Sequence, residues 1–267
     1  ALEAGLRPER PANLYGLGIK EIIQLDSSRI EGRFNLPVGQ GAGRLYMGKI
    51  TRGLPGGGFI YTNRDTLSIG LVVHLEALSQ WKRETEAWEL LEAFKARPDV
   101  APLLAGGKTI EYGAHLVPEG GYANLPEPGI PGLLLVGDAA GFVLNTGHTL
   151  RGMDLAAASG VLAGRSIAEA HKTGFSPESC LRLYRRALSK SFVLEQMKAY
   201  KKAPGVLAIN RIFDRYPHRV VRLAREVFSV DAQGRSKSFW QGAKEMLFKI
   251  LGWRGIKDLW RLIRMGS

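Results

Sequence analysis

The stretch GLLLVGDAAGF, residues 132–142, decides how this chain is interpreted. Four apolar residues, Leu133 to Val136, are followed at once by Gly137 and Asp138. An uninterrupted apolar run of this length is typical of a parallel strand that is covered on both faces. The stretch therefore predicts a buried strand that ends abruptly in a tight turn.

A helix is predicted shortly after this turn. The segment from about Arg151 to Ala170 is rich in alanine and opens with Arg151, Gly152 and Met153. A strand, a tight turn and a helix N-terminus in succession form the place where α/β proteins bind nucleotides. The free N–H groups at such a helix start favour an anionic or electron-rich group, such as a pyrophosphate or the pyrimidine edge of a flavin.

The residues of the turn suit such a ligand. Asp138 can accept hydrogen bonds from sugar-like hydroxyls. The small residues Ala139, Ala140 and Gly141 let a bulky ligand approach the backbone closely. A strand and a Gly-Asp turn without any ligand is the alternative, because short motifs also occur by chance.

Other segments of the chain follow in the order typical of one known family. Residues 132–160, GLLLVGDAAGFVLNTGHTLRGMDLAAASG, resemble the second flavin-binding signature of glutathione-reductase-type flavoproteins, in the version carried by FixC-type dehydrogenases. These dehydrogenases are relatives of the electron-transfer-flavoprotein:quinone oxidoreductases. The resemblance covers most of residues 10–230 and includes YGLGIKEIIQL at 15–25, LPGGGFIYTN at 54–63, LSIGLVVHLEAL at 67–78 and LLAGGKTIEYGAHLVPEGGY at 103–122.

The resemblance implies an α/β fold with FAD as the cofactor. The expected architecture is a partial glutathione-reductase-type FAD-binding fold with an α+β, strand-rich substrate domain and a C-terminal helical region. The residues expected to bind FAD are Gly137, Asp138, Ala139, Ala140, Gly141, Arg151, Gly152 and Met153. The expected domains are a quinone-side domain at 1–128, the last strand and helix of the FAD-binding domain at 129–175, and a basic helical region at 176–267.

The family's first flavin-binding element is not found in this sequence. That element is a Gly-x-Gly-x-x-Gly turn between a strand and a helix, and no segment offers it in that context. We therefore expect the chain to begin inside the family's pattern, as a truncated or split polypeptide.

A run of three glycines is the second candidate site. Gly56, Gly57 and Gly58 precede Phe59, and a flat ring could approach such a backbone closely. A hairpin or a bulge is the alternative for these glycines. In the mitochondrial quinone oxidoreductases that this stretch resembles, two adjacent glycines contact the quinone, which implies a quinone site at Gly56, Gly57 and Phe59. Gly58 replaces a serine of that pattern.

The implied function is FAD-dependent electron transfer from an electron-transfer flavoprotein toward quinone. The cofactor performs the redox chemistry in such enzymes, so no catalytic side chain is expected. The mitochondrial relatives carry a four-cysteine iron-sulfur domain, whereas this chain has a single cysteine, Cys180. The resemblance to FixC therefore implies that the cluster resides on a separate ferredoxin-like, FixX-type subunit. Two alternatives stay open: a geranylgeranyl-reductase-type flavoenzyme, and an inactive fragment or membrane-associated interaction module.

Short apolar runs and turns predict the remaining elements. Residues 15–78 alternate such runs with glycine and proline turns, which is typical of a strand-rich domain. Strands are predicted at 22–25, 44–50, 59–61, 67–75 and 108–115. An amphipathic helix is predicted over 80–96, and the chain is predicted to be helical from Pro177 onward.

Charge is distributed unevenly along the chain, whose formal net charge is +12. Residues 1–175 contain 17 Lys or Arg and 18 Asp or Glu, whereas residues 176–267 contain 20 and 7. A basic region of this size attracts acidic proteins, anionic lipid or nucleic acid. We expect no nucleic-acid partner, because no helix-turn-helix, zinc or RNA-recognition pattern accompanies the charge.

The last thirty residues combine apolar and basic residues at helical spacing. Their apolar members include Trp240, Leu247, Ile256, Trp260 and Ile263. Such a helix can make peripheral membrane contact through residues 238–267, pack on its own domain with a basic face in solvent, or dock an acidic ferredoxin.

The ends and the apolar content of the chain bear on its location. The opening ALEAGLRPER lacks the basic and apolar regions of a secretory signal, and no apolar stretch reaches the roughly 20 residues that cross a bilayer. One cysteine permits no internal disulfide, which suits a reducing compartment. We expect a cytoplasmic protein, either free or peripheral on the inner face of the cell membrane.

Overall fold

The computed structural model describes residues 5–6, 11–81, 86–147, 149–230, 232–234, 238–245 and 252–266. These residues form a mixed α/β structure, which confirms the predicted fold class. They fall into two compact units. The turn unit comprises the described parts of Ala1–Gly16, Leu116–Gly205 and Met265–Ser267, and the sheet unit comprises those of Leu17–His115 and Val206–Arg264. These limits differ from the ranges 1–128, 129–175 and 176–267, whose assignment to functional domains stays a prediction.

Five strands form the main sheet: β1 (Tyr15–Gln24), β2 (Gly43–Met47), β3 (Gly56–Thr62), β4 (Thr66–His74) and β5 (Lys108–Pro118). Their order in the sheet is β2-β3-β4-β1-β5. Strand β3 lies between β2 and β4 and is antiparallel to both. Every second side chain of β4 enters the core, since Leu67, Ile69, Leu71 and Val73 are fully buried.

Helices cover one face of this sheet. Phe34 of α1 and Leu90, Leu91 and Phe94 of α3 are buried in one cluster with Ile60 of β3. Glu86 and Glu89 form a capping box at the start of α3. The helices of this part are α1 (Ser27–Phe34), α2 (Leu75–Ser79), α3 (Ala87–Lys95) and α4 (Ala101–Leu104), and residues 82–85 of the predicted 80–96 helix lie outside the described residues.

The opposite face of the sheet carries exposed apolar side chains. Leu45 and Met47 on β2 and Tyr61 on β3 are exposed, as are Ile110 and Tyr112 on β5. Because successive residues of a strand point to opposite faces, Leu45, Met47 and Tyr61 lie on the side away from the core. The sheet unit thus has one packed face and one open apolar face.

Three helices build the core of the turn unit. Leu155 of α5, Tyr184 of α6 and Val193 of α7 are buried together with Leu135. Alanine, serine and glycine spaced along α5 let α6 pack closely against it. The helices are α5 (Met153–Lys172), α6 (Pro177–Ser189) and α7 (Phe192–Ala199), and two short antiparallel pairs join β6 (Gly129–Ile130) to β7 (Leu133–Leu134) and β8 (Leu144–Asn145) to β9 (Leu150–Arg151).

The prediction of a buried parallel strand over 133–136 is wrong. The strand β7 has two residues and pairs antiparallel with β6, and Leu133 is exposed. The Tyr184 hydroxyl donates a hydrogen bond of 2.8 Å to the Leu135 carbonyl oxygen, so α6 covers one side of the segment. Within the described residues β7 pairs with β6 alone, so the apolar run is not part of a parallel sheet.

The C-terminal part is helical where it is described, as predicted. Its helices are α8 (Ala203–Leu207), α9 (Arg215–Phe228), α10 (Phe239–Glu245) and α11 (Gly252–Ile263), and residues 246–251 of the predicted amphipathic tail lie outside the described residues. Among the described residues, no helix is both long enough and apolar enough to cross a bilayer.

Candidate functional site

The Gly-Asp segment forms a single 3-10 turn, Gly137–Ala140. Gly137 has a φ of 54°, and a Cβ built on it would lie 3.1 Å from the Cβ of Ala156 in α5. The Gly137 N–H donates a hydrogen bond of 3.0 Å to the buried Ser159 hydroxyl oxygen. Glycine is therefore required at 137 for both its dihedral angle and its close approach to α5.

The rest of the turn is closed by its own backbone. Gly141, with a φ of 75°, donates its N–H to the Asp138 carbonyl oxygen at 2.9 Å. The Phe142 N–H donates to the Gly137 carbonyl oxygen at 3.0 Å. Asp138 and Ala139 are exposed, whereas Ala140 is buried. The turn is thus a compact structure that directs one carboxylate outward.

The start of α5 lies beside that carboxylate. Gly152 is the N-cap residue of α5 and has no side chain that could cap the helix, but the Asp154 carboxylate accepts backbone hydrogen bonds from Asp154 and Leu155 in the first turn. A Cβ built on Gly152 would be 3.8 Å from the Asp138 Oδ1 atom, so glycine leaves this space open. Met153 is exposed at the first helical position. The structure therefore brings the predicted residues 137–141 and 151–153 together in one unit.

Arg151 is engaged with neighbouring side chains. Its guanidinium donates hydrogen bonds to the Asp154 carboxylate and to the Gln196 side-chain oxygen, the latter at 3.4 Å. Although burial alone would raise it, the hydrogen bond and charge of Arg151 hold the pKa of the Asp154 carboxyl below its ordinary value. Three of the five N–H groups of Arg151 are used in these hydrogen bonds, so a ligand phosphate would compete with Asp154 for the charge of Arg151 but could still accept from the other two.

A carboxyl group that the sequence did not single out lies in the same unit. Burial raises the pKa of Glu119 to about 7, against a hydrogen bond from the Asn145 side chain at 3.3 Å. Gly120 and Gly121, which follow it, line a small pocket together with Gly141 of the turn. The PEGG segment at 118–121 was part of the family resemblance, but nothing in its local pattern indicates burial of the glutamate.

The predicted quinone residues lie in the sheet unit, on β3. A Cβ on Gly56 would lie 2.2 Å from the Val72 carbonyl oxygen, and one on Gly57 would lie 3.0 Å from the Tyr46 carbonyl oxygen. Both glycines are paired with β4 in regular register. Gly57 also pairs with Met47 of β2, so both glycines lie within a regularly paired strand and the hairpin or bulge considered for them is wrong.

Aromatic rings on the open face of β3 cover two other glycines. The Phe59 ring lies over Gly70 on β4, where a Cβ would be 2.5 Å from the ring, and the Tyr61 ring lies over Gly43 on β2. The two rings stack with their centroids 4.9 Å apart. Gly57 shares the face of Phe59, because alternate residues of a strand point the same way. Gly57 and Phe59 thus adjoin on an apolar surface, whereas Gly56 lies on the opposite face.

Comparison with known proteins relates the main sheet to a family. The family described as "ETF-QO, ubiquinone-binding" matches residues 15–117, which include β1 to β4 and all of β5 except its last residue, Pro118. The chain is similar to the solved structure of a geranylgeranyl bacteriochlorophyll reductase-like protein from Thermoplasma acidophilum, with a TM-score of 0.57 and 19% identity over 95% of this chain and 56% of that one. At this identity the likeness concerns the fold alone.

Curated relatives match most of the chain. It is 43% identical over 249 residues to protein FixC of Escherichia coli K12, covering 91% of this chain and 58% of FixC. It is 40% identical over 229 residues to the "probable electron transfer flavoprotein-quinone oxidoreductase YdiS" of the same organism, covering 86% of this chain and 53% of YdiS. The chain thus spans somewhat more than half the length of these relatives. Residues 15–117 thus match the ubiquinone-binding family of ETF-QO, and most of the chain is similar to FixC and to a probable electron transfer flavoprotein-quinone oxidoreductase.

Proposed function

We propose that this chain is the quinone-side portion of a flavin-dependent oxidoreductase that passes electrons from an electron transfer flavoprotein toward quinone. The observation that carries this proposal is the match of residues 15–117 to the ubiquinone-binding family, together with 40–43% identity to FixC and YdiS. The partners proposed with it are an electron transfer flavoprotein as donor and a ferredoxin-like, FixX-type subunit.

The proposed flavin site is the turn Gly137–Ala140 with the start of α5. Its groups suit one part of FAD: an outward carboxylate on Asp138 for sugar-like hydroxyls, and a helix N-terminus with a glycine at the N-cap for an electron-rich edge. Gly152 leaves the space beside the Asp138 carboxylate open, whereas Gly141 is buried. When bound, FAD would supply the redox chemistry by accepting and releasing electrons. The chain's own residues would position it and exclude water on one side.

The proposed quinone site is the part of the open sheet face that carries Gly57 and Phe59. A flat ring could stack on the Phe59 and Tyr61 pair, because aromatic rings favour offset stacking. Gly56 would support this surface from within the sheet, since its own Cβ position faces the Val72 carbonyl oxygen. The proposal differs from the sequence prediction in that Phe59 and Gly57, rather than Gly56, would contact the ring.

A geranylgeranyl-reductase activity has support from fold likeness alone, at 19% identity. The FixC relatives share more than twice that identity with this chain. We therefore do not propose that activity.

Flavin binding tests the proposed site. Titration of FAD with the purified chain, followed through quenching of flavin fluorescence, should give binding that the Asp138→Ala variant weakens by about tenfold, the effect of one lost charge-assisted hydrogen bond. Because the Asp138 side chain is exposed, the Asp138→Ala variant should fold like the wild type. Asp65→Ala, which removes another exposed carboxylate, is the matched control and should bind like the wild type.

Two outcomes would contradict the assignment. Equal affinity of Asp138→Ala and wild type would remove Asp138 from the site. A folded wild-type chain that quenches no flavin fluorescence would favour the interaction-module alternative.

A further inference from the structure

The last described helix, α11, has two faces with different surroundings. Asp258 is 2% exposed, whereas Leu259, Trp260 and Ile263 are 37%, 53% and 72% exposed. At 100° per residue, Leu259, Trp260 and Ile263 share one side of the helix, and Asp258 lies on the other. One side of α11 is therefore packed, and the other presents an apolar ridge made of these three residues.

Asp258 determines which side faces outward. Its Oδ2 atom accepts hydrogen bonds from the Tyr216 hydroxyl at 2.6 Å and from the Arg211 Nη2 and Nε atoms at 2.9 and 3.1 Å. Arg261 adds a cation 3.8 Å from Oδ1. Burial alone would raise the pKa of Asp258, but these hydrogen bonds and charges hold it below its ordinary value, so the group is ionised. A buried carboxylate with these partners fixes the rotation of the helix about its axis.

Basic side chains border the apolar ridge on one flank. Lys257, Arg261 and Arg264 are exposed and lie within about 60° of one another around the helix. The Arg264 guanidinium lies 4.0 Å above the centroid of the Trp260 ring, so charge and aromatic surface are adjacent. Residues 176–267 contain 20 basic and 7 acidic residues, so the whole region also has a positive net charge.

We propose that the ridge of Leu259, Trp260 and Ile263 is a docking surface for an anionic lipid bilayer, with Lys257, Arg261 and Arg264 at the headgroups. Three features match that partner: apolar side chains to enter the acyl boundary, a tryptophan at the interface, and a cationic flank for anionic lipid. A second copy of the chain fits less well, because a symmetric contact would bring the same cations together. The proposal does not depend on flavin binding.

Vesicle co-sedimentation of the 267-residue chain tests this surface. The wild type should sediment with vesicles of phosphatidylcholine containing about one third phosphatidylglycerol, and much less with phosphatidylcholine alone. The double variant Trp260→Ser with Ile263→Ser should lower the partition coefficient by at least about tenfold. Both side chains are exposed, so circular dichroism should show unchanged folding.

The chain offers a matched control for the ridge. Trp88 on α3 is 52% exposed, almost the same as Trp260, but lies elsewhere on the sheet unit. Trp88→Ser should bind vesicles like the wild type.

The basic flank is tested separately. The double variant Lys257→Gln with Arg264→Gln should weaken binding to anionic vesicles by about 25-fold, or about fivefold per charge. The control double variant, Arg182→Gln with Arg186→Gln on α6, should change binding far less.

Three results would overturn the proposal. In the first, the wild-type protein does not sediment with anionic vesicles. In the second, the variant with Trp260→Ser and Ile263→Ser binds vesicles as well as the wild type. In the third, the ridge variants and the control variants lose vesicle binding equally. A concentration-dependent dimer in gel filtration that the double variant abolishes, without vesicle binding, would assign the ridge to self-association instead.

Discussion

The two glycine-rich stretches, Gly56–Thr62 of β3 and the turn Gly137–Ala140, differ in what surrounds them. On β3, Gly56 and Gly58 are enclosed by the backbone of β4 and by the side chains of Ile50, Leu71 and Phe94. At the turn, Gly137 touches α5, but Asp138 and Ala139 next to it are exposed. Glycine is thus needed for packing inside the sheet, whereas at the turn it shapes a backbone that stays accessible.

This difference changes how each site should respond to mutation. In β3, a substitution at a glycine should act first on stability, and any effect on a ligand would follow from that. At the turn, the residues that hold the fold, Gly137 and Ser159, are distinct from Asp138, which faces outward. Folding and ligand binding should therefore be separable at the turn and inseparable in the strand.

The largest effect is expected for Gly56→Ala. Its Cβ would lie 2.2 Å from the Val72 carbonyl oxygen at a φ of 153°, so the pairing of β3 with β4 must be disrupted, at a cost of more than about 3 kcal/mol. Urea unfolding would measure it. Gly113→Ala on β5, where no atom lies within 4 Å, is the matched control and should cost less than about 1 kcal/mol. Similar values for the two variants would remove the contrast between enclosed and open glycines.

Glu119 should make the stability of the turn unit depend on pH. The native carboxyl keeps its proton up to about pH 7, whereas the unfolded one loses it near its ordinary pKa of 4.5. The free energy of unfolding should therefore fall by about 2 to 3 kcal/mol as pH rises from 4.5 to 7, with little further change above 7. Glu119→Gln should remove this slope in urea unfolding series. A variant with the wild-type slope would show that another group titrates.

Gly137→Ala should cost about 2 kcal/mol, because a φ of 54° is unfavourable for alanine and its Cβ would lie 3.1 Å from that of Ala156. Gly160→Ala is the control within α5, since no atom lies near its Cβ position, and it should stabilise the chain by about 0.5 to 1 kcal/mol. Thermal unfolding distinguishes the two. A stabilising Gly137→Ala would mean that the turn adopts another conformation.

The smallest effect is expected for Ser159→Ala, at about 1 kcal/mol, because the buried Gly137 N–H loses its acceptor. Ser166→Ala is the matched control. Ser166 is a buried serine of the same helix whose hydroxyl donates only within α5, to the Leu162 carbonyl oxygen, so its loss should cost less than about 0.5 kcal/mol. Hydrogen exchange at the Gly137 amide should rise in the first variant alone.

Local sequence patterns predicted where the helices and strands lie better than they predicted which segments contact one another. Strands at 44–50, 59–61 and 67–75 were predicted close to β2, β3 and β4, because period-two alternation is a local signal. The apolar run at 133–136 misled, since such a run does not specify strand direction or which faces are covered. Glu119, Ser159 and Asp258 escaped prediction, because their roles depend on residues 22 to 47 positions away.

The candidate sites follow the same rule. The turn and the start of α5 were predicted to meet, and they do, because a short connection leaves few alternatives. The orientation of the glycines on β3 could not be predicted, since it depends on a register with β2 and β4 that only the folded sheet defines. Whether these residues bind flavin and quinone stays a prediction.

The Tyr61 ring over Gly43 restrains the edge strand β2, and the Phe59 ring over Gly70 restrains the pairing of β3 with β4. If β2 slid by two residues so that Leu45 lay opposite Tyr61, the sheet would keep its inside and outside, but the Tyr61 ring would meet a side chain instead of a bare backbone. The two contacts between a ring and a glycine thus disfavour a shift in the register of the strands. They also give the exposed apolar surface a single geometry, which a strand free to shift along its neighbour could not maintain.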